Sequence, residues 1–271
     1  MRDPLRDNLE VNPSANQLAL LDEAASRLEN AAPEETLRWA FGEFGDSVTL
    51  ATGFGPGGVA LIDMSVKLNP NVDIFFLDTS FLFPETYDLR RRLEDRYKVS
   101  IRAQQARLTP HQQDETFGPK LWSTDPDLCC RLRKLEPLRE ALRHRRAWIT
   151  AIRREQTIER SNARVVEWDY RWGLVKISPL ARWSRNEVWE YLFRHNVPYN
   201  PLHDRGYPSI GCAHCTTAVN DADGERAGRW PGKQKRECGI HLRPGVHSGE
   251  AQGVRAQLAP GANSRVGLEG V

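Results

Sequence analysis

Long apolar runs are missing from this sequence. No segment reaches the ~20 uninterrupted residues that a membrane-spanning helix needs. The opening MRDPLRDNLE mixes acids with bases and has no apolar stretch behind it, so neither a secretory signal nor a mitochondrial-type presequence is apparent. The cytoplasm is the expected compartment. No Lys-Ser/Thr follows the glycine-rich stretch near residue 55, which excludes a Walker A phosphate loop. The basic central segment lacks the interleaved aromatics of a single-strand nucleic-acid platform. Cysteine is scarce, with five in 271 residues, yet those five are placed in a pattern.

Cys129 and Cys130 are adjacent, Cys212 and Cys215 form a C-x-x-C, and Cys238 stands alone. Two close pairs suit a metal centre, because each pair needs only a local turn to converge. A fifth thiol is then left for chemistry. Zinc sites built from sulfur usually draw on two C-x-x-C pairs, and a directly adjacent pair is cramped around a single ion. A larger iron–sulfur cluster tolerates it better, so a 4Fe-4S centre is favoured over zinc. Scattered buried cysteines and disulfides are the competing readings; no export signal supports an oxidising compartment for the latter.

The composition, 39% hydrophobic and 27% charged with a formal net charge of +2, is that of a soluble domain with one sizeable core. Charge is uneven along it. Residues 131–164 carry eleven Lys or Arg against four Glu, a local excess of seven and a candidate anion site.

Leu18, Leu21, Ala25 and Leu28 share one helical face, and Pro33 opens a second helix that stops at Gly45. An α/β core then starts at Ser47, with a short strand, the loop Thr52-Gly-Phe-Gly-Pro-Gly-Gly58, and a helix through Val59 to Leu68. Glycines let the main chain approach an anion, and free N–H groups at the helix start point towards it. A second strand, Val72 to Thr79, ends in Asp78, and a helix from Pro84 leads to a third strand, Val99 to Ala103. Gly53, Gly55 and Gly58 with Asp78 also fit a Rossmann dinucleotide fingerprint, which leaves every cysteine unexplained.

The stretch from Gln104 to Leu128 reads as loop. Cys129 and Cys130 are expected at the start of a helix through Leu142, where the helix terminus lowers thiol pKa. Ala147 to Arg153 reads as a strand, with Arg153 and Arg154 at its carboxyl end. Val165–Trp168 and Leu174–Ile177 resemble a hairpin, and Ser184 to Glu187 is a capping box before a helix whose Trp and Phe residues are expected in the core. His111 and His203 are expected to be structural or exposed.

Seven blocks in order carry a resemblance: LDTSFLFPETY, CCRLRKLEPL, WITAIRREQ, VKISPLARWSRNEVWEYL, VPYNPLHDRGYPSIGCAHCT, ERAGRW and ECGIHL. Together they span roughly residues 45–242. They resemble the phosphosulfate reductase family, nearest to its cluster-bearing, thioredoxin-dependent adenylyl-sulfate reductases. The resemblance implies an α/β fold similar to adenine-nucleotide α-hydrolases, a mostly parallel sheet flanked by helices with a C-terminal cysteine-bearing segment. It divides the chain into an N-terminal helical segment (1–45), a nucleotide-binding reductase domain (46–242) and a flexible tail (243–271).

The implied reaction is thioredoxin- or glutaredoxin-dependent reduction of adenylyl sulfate to sulfite and AMP through a cysteine S-sulfonate, in sulfate assimilation. Cys129, Cys130, Cys212 and Cys215 would ligate a 4Fe-4S cluster, and Cys238 would be the nucleophile. Thr52 and Gly53 would lie in the phosphate loop, and Lys134, Arg226, Arg229 and His241 at the sulfate end. Arg153 or Arg154 would lie nearby, and Asp78 is a further candidate at the substrate edge. Relatives usually carry a serine and an acid or amide where this chain has Gly53 and Pro56-Gly57, and His214 replaces a common proline. Alternatives are the 3′-phosphorylated nucleotide as substrate, an iron–sulfur RNA-thiolation protein, and a Rossmann oxidoreductase. Neither a nucleic-acid nor a membrane partner is expected, and the oligomeric state is not given by the sequence.

Overall fold

The structure, a computed structural model, describes residues 12–220 and 224–241. The proposed 243–271 tail and the first eleven residues of the N-terminal segment lie outside these residues. Six strands form one sheet: β1 (Val48–Thr52), β2 (Ile74–Asp78), β3 (Ile101–Gln105), β4 (Ala147–Ile149), β5 (Val166–Asp169) and β6 (Leu174–Ile177). Their order is β3-β2-β1-β4-β6-β5. All pairings are parallel except β5 with β6, the expected hairpin, which closes one edge.

Parallel strands buried on both faces are apolar at nearly every position, and their period of two splits the core. Val48, Leu50, Ile74, Phe76, Ala147, Ile149, Val175 and Ile177 point to one side. They meet α1 (Ala15–Leu28), α2 (Pro33–Phe44), α3 (Pro56–Leu68), α4 (Pro84–Tyr97) and, as the last α-helix among the described residues, α9 (Arg185–Arg194). The alternate residues Phe75, Trp148 and Leu174 point to the other side, against Leu135, Leu138, Ala141 and Leu142. The first two helices thus share the core of the nucleotide-binding region: Leu37 and Ala40 are fully buried in it. As the sequence indicates, α2 stops at Gly45 and α9 starts at a Ser184–Glu187 capping box.

Two stretches differ from expectation. The region read as loop holds α5 (Pro110–Phe117), α6 (Leu121–Thr124) and α7 (Pro126–Cys130), all short. Prolines at the first turn and the caps Thr109 and Asp125, which punctuate a loop equally well, here start helices. Cys129 and Cys130 therefore end α7 instead of starting a helix. The chain continues through a wide π turn, Arg131–Leu135, into α8 (Glu136–Leu142). On α9, Trp189 lies half-buried and Phe193 is 60% exposed, so only part of its aromatic set is core. No helix among the described residues is long and apolar enough to cross a membrane.

Candidate active site

The carboxyl ends of β1, β2 and β4 open into a cleft of about 270 Å³. One wall is the glycine loop. Thr52 Oγ1 accepts the N–H of Phe54 at 3.0 Å, and Phe54 takes a left-handed φ of +57° with its ring buried against Phe76. The loop folds so tightly that a Cβ on Gly58 would sit 2.8 Å from Thr52 Oγ1. Pro56 opens α3, so the free N–H groups of its first turn face the cleft where the helix dipole favours an anion.

The opposite wall comes from residues 225–241. Arg226, Arg229, Cys238, Ile240 and His241 all line the cleft, together with Lys134 from the wide turn. Gly239, at φ +91°, supplies the left-handed turn after Cys238. Trp172 Nε1 then donates to the carbonyl of Ile240 at 3.1 Å and pins the end of the segment. The buried Nε groups of Arg226 and Arg229 have no partner among the described residues, as an anion site with spare donors requires.

Charges converge on the Cys238 thiol. Burial alone would raise its pKa, but Lys134, the Ile240 N–H and Arg226 outweigh burial and the opposing charge of Glu237, and hold it below the ordinary thiol value. Lys134 is in turn held well above its usual value: burial opposes its charge, and the attraction of the nearby sulfurs of Cys212, Cys130 and Cys238 more than compensates. Burial brings Arg226 down to about 10. His241, stacked on Trp148 with 5.5 Å between centroids, is pushed far below its normal pKa by burial and by surrounding arginines and Lys176. The shift favours the neutral ring, and its buried Nδ1 has no partner among the described residues.

Behind Lys134 lies a second, smaller pocket lined by all four paired cysteines with Phe81, Trp122, Arg133 and His214. The loop after β2 docks on the C-x-x-C: Leu82 bridges Cys212, Ala213 N–H donates to Phe81 O at 2.7 Å, and the Thr79 hydroxyl lies 3.3 Å from Cys212 Sγ. Trp230 N–H donates to Cys215 O at 3.0 Å, joining the pocket to the cysteine-bearing segment. Burial and neighbouring thiols push Cys129 up to about 12 and Cys130 up to about 11. The helix-start activation expected for these two is thus absent, because they sit at the far end of α7. Among the described residues no three His, Cys, Asp or Glu stand close enough to hold a metal ion.

Two expected residues are elsewhere. Arg154 turns away to α1, pairing with both oxygens of Glu29 at 2.6 and 3.0 Å and donating to Ala163 O. Asp78 is not in the cleft lining: it accepts from Tyr87 Oη at 2.7 Å and Ser80 N–H at 3.0 Å, bracing the loop after β2. The acid that the Rossmann fingerprint would place on a ribose thus does not line the cleft. Arg153 does line the cleft, but its guanidinium is held by Glu155 and Glu225. His111 is exposed beside Glu115, whereas His203 lines the cleft with Nδ1 2.7 Å from Tyr207 O. Sequence reasoning did not single out Arg160 or Glu237: the first was one of eleven cations in the basic segment, and the second was the residue beside Cys238 in the ECGIHL block.

Residues 47–218 match the family described as "Phosphoadenosine phosphosulfate reductase domain". The chain is 44% identical over 243 residues to the adenosine 5′-phosphosulfate reductase of Salinibacter ruber, covering 88% of this chain and 95% of that one. It is 43% identical to the same-named protein of Halalkalibacterium halodurans, covering 82% and 96%. Among solved structures, a phosphoadenylyl-sulfate reductase from Candida auris in a phosphate complex aligns with a TM-score of 0.66 at 30% identity, over 77% of this chain and 99% of that one. Candida glabrata FMN adenylyltransferase, 15% identical over 77% of this chain and 69% of its own, shares the fold with a TM-score of 0.51. The adenine-nucleotide α-hydrolase-like architecture is borne out, and the chain belongs to the phosphoadenosine phosphosulfate reductase family and, within it, to the adenosine 5′-phosphosulfate reductases, a group of oxidoreductases.

Proposed function

We propose that the chain reduces adenosine 5′-phosphosulfate to sulfite and AMP, with Cys238 as nucleophile and a thioredoxin-class dithiol as reductant. The observation that carries this is one cleft in which the glycine loop, two arginines with spare donors and an acidified thiol face each other. The nucleotide phosphate lies on the start of α3, and the sulfate meets Lys134, Arg226, Arg229 and the neutral His241.

Cys238 thiolate attacks the sulfate sulfur, an S–S bond forms, and the bond to the phosphate oxygen breaks with its electron pair leaving on AMP. The cations and helix N–H groups hold the departing charge. One reductant thiolate then attacks Cys238 Sγ and expels sulfite. Its second thiolate resolves the mixed disulfide, leaving an oxidised reductant and Cys238 thiolate.

Cys129, Cys130, Cys212 and Cys215 would hold a 4Fe-4S cluster. Their side chains line one pocket as two close pairs, a donor set that suits such a cluster. Buried Arg133 Nη2 and Trp230 Nε1 stand beside this pocket without partners among the described residues, as donors to an anionic cluster would. Such a group would supply negative charge beside Lys134, which borders the pocket. The 3′-phosphorylated nucleotide is the competing substrate, and a steady-state comparison of the two decides between them.

The reaction itself is tested by mass spectrometry of iron-replete protein mixed with adenosine 5′-phosphosulfate without reductant. A sulfonate on Cys238, removed by thioredoxin, is expected; unmodified Cys238 would refute the mechanism.

A further inference from the structure

The steps above use Cys238 and the cations around it, but give no task to the carboxylate that precedes it. Glu237 is 3% exposed, and its negative charge opposes formation of the adjacent thiolate. An acid placed there for activation would be counterproductive. Its bonds point elsewhere. Arg160 engages both oxygens, Nε to Oε1 at 2.8 Å and Nη2 to Oε2 at 2.9 Å, a bidentate fork. Arg226 Nη2 donates to Oε2 at 3.2 Å. Arg160 is fixed further by Gln156 Oε1 at 2.7 Å, and Gln156 also reaches Glu225, which holds Arg153. Two carboxylates of the cysteine-bearing segment are thus laced to the stretch that follows β4.

We propose that Glu237 and Arg160 are positioning residues: their fork seats the Cys238 segment and aims Arg226 into the cleft for the sulfonate-forming step. This rests on the reading of Cys238 as nucleophile. With the carboxylate gone, Arg160 and Arg226 are two buried cations without their shared counter-charge, and they separate. The thiol then loses its fixed line to the sulfate sulfur, and a misplacement of ~1 Å costs roughly 10²-fold in rate. Sulfite release is different, because the reductant approaches Cys238 Sγ from outside and the fork takes no part.

The test compares Glu237→Gln and Arg160→Lys with the parent, each iron-replete. In single-turnover mixing without reductant, intact mass should show sulfonation of Cys238 slowed ~10²-fold in Glu237→Gln and ~10-fold in Arg160→Lys. Sulfite release by thioredoxin, from protein charged by long incubation, should stay within about twofold of the parent. A bulky maleimide at fixed pH should label Cys238 ~10-fold faster in Arg160→Lys, which breaks the bidentate fork while keeping the Glu237 charge that itself bears on the thiol. Sulfonation near the parent rate, or equal slowing of both half-reactions, overturns the proposal. If Glu237→Gln does not fold, Arg160→Lys carries the same comparison. If the parent itself forms no sulfonate, the functional reading fails, and the maleimide rate alone judges the fork: acceleration supports it and an unchanged rate refutes it.

Discussion

Replacing Asp63 by Ala should destabilise the protein by about 3 kcal/mol, a loss worked from three bonds. Asp63 lies on α3 with 1% exposure. Its Oδ2 accepts from Tyr191 Oη at 2.6 Å and Lys67 Nζ at 2.7 Å, and its Oδ1 from Tyr97 Oη at 2.8 Å. Hydrogen bonds to a charged acceptor contribute ~1.5–3 kcal/mol each, so the two tyrosines account for about 3–6 kcal/mol. Lys67 is 52% exposed, and its ion pair adds under about 1 kcal/mol. Relief of the buried carboxylate's desolvation returns roughly 1–2 kcal/mol, leaving about 3. For a chain of this size that is a fall in Tm of about 6–12 °C.

The pH dependence has a definite sign. Burial alone would raise the Asp63 pKa, but Lys67, Tyr191 and Tyr97 outweigh it and hold the carboxyl below its ordinary range. A depressed folded value gives stability that is complete above the unfolded carboxylate pKa of about 3.9 and is lost as pH falls through the folded one. Thermal melts of parent and variant at pH 7 and pH 3 should therefore show the gap shrinking in acid. A loss below about 1 kcal/mol at pH 7, or a gap that widens in acid, would refute the reasoning.

Gly58→Ala should raise KM for the nucleotide by about tenfold, because its methyl meets Thr52 Oγ1 at 2.8 Å and the loop must shift; initial rates over a substrate series measure this. Arg229→Gln should lower kcat by ~10²–10³ by removing a donor aimed at the sulfate end, with the cleft's fold kept as judged by circular dichroism. Arg154→Ala should cost about 1 kcal/mol of stability through lost pairing with Glu29 and leave kcat/KM within about twofold. A large loss of activity there would return Arg154 to the active site.

The α/β core was legible because its signals are local. Apolar runs of strand length, prolines that open α3 and α4, the Ser184 capping box and the β5–β6 hairpin each depend on neighbours in sequence. Cys238, Lys134, Arg226, Arg229 and His241 were recognisable because family blocks carry them, and the structure brings them into one cleft. The failures are tertiary. Arg153 and Arg154 are adjacent and chemically identical, and only the packing of α1 decides that the second faces Glu29. Asp78 stands at the carboxyl end of β2, the usual ligand edge, yet Tyr87 from α4 claims it. The wide turn at Arg131–Leu135 leaves no periodicity signal, so the placement of the adjacent cysteines relative to helix ends could not be read. Glu237 stands in the ECGIHL block, but no sequence signal marks its partner, because Arg160 meets it only across the fold.

Lys134 borders both chambers, the nucleotide cleft on one side and the sulfur pocket on the other. A change of potential on either side bears on this shared cation, and thermodynamic reciprocity makes any resulting coupling mutual: the factor by which the contents of the sulfur pocket change nucleotide affinity equals the factor by which the nucleotide changes retention of those contents.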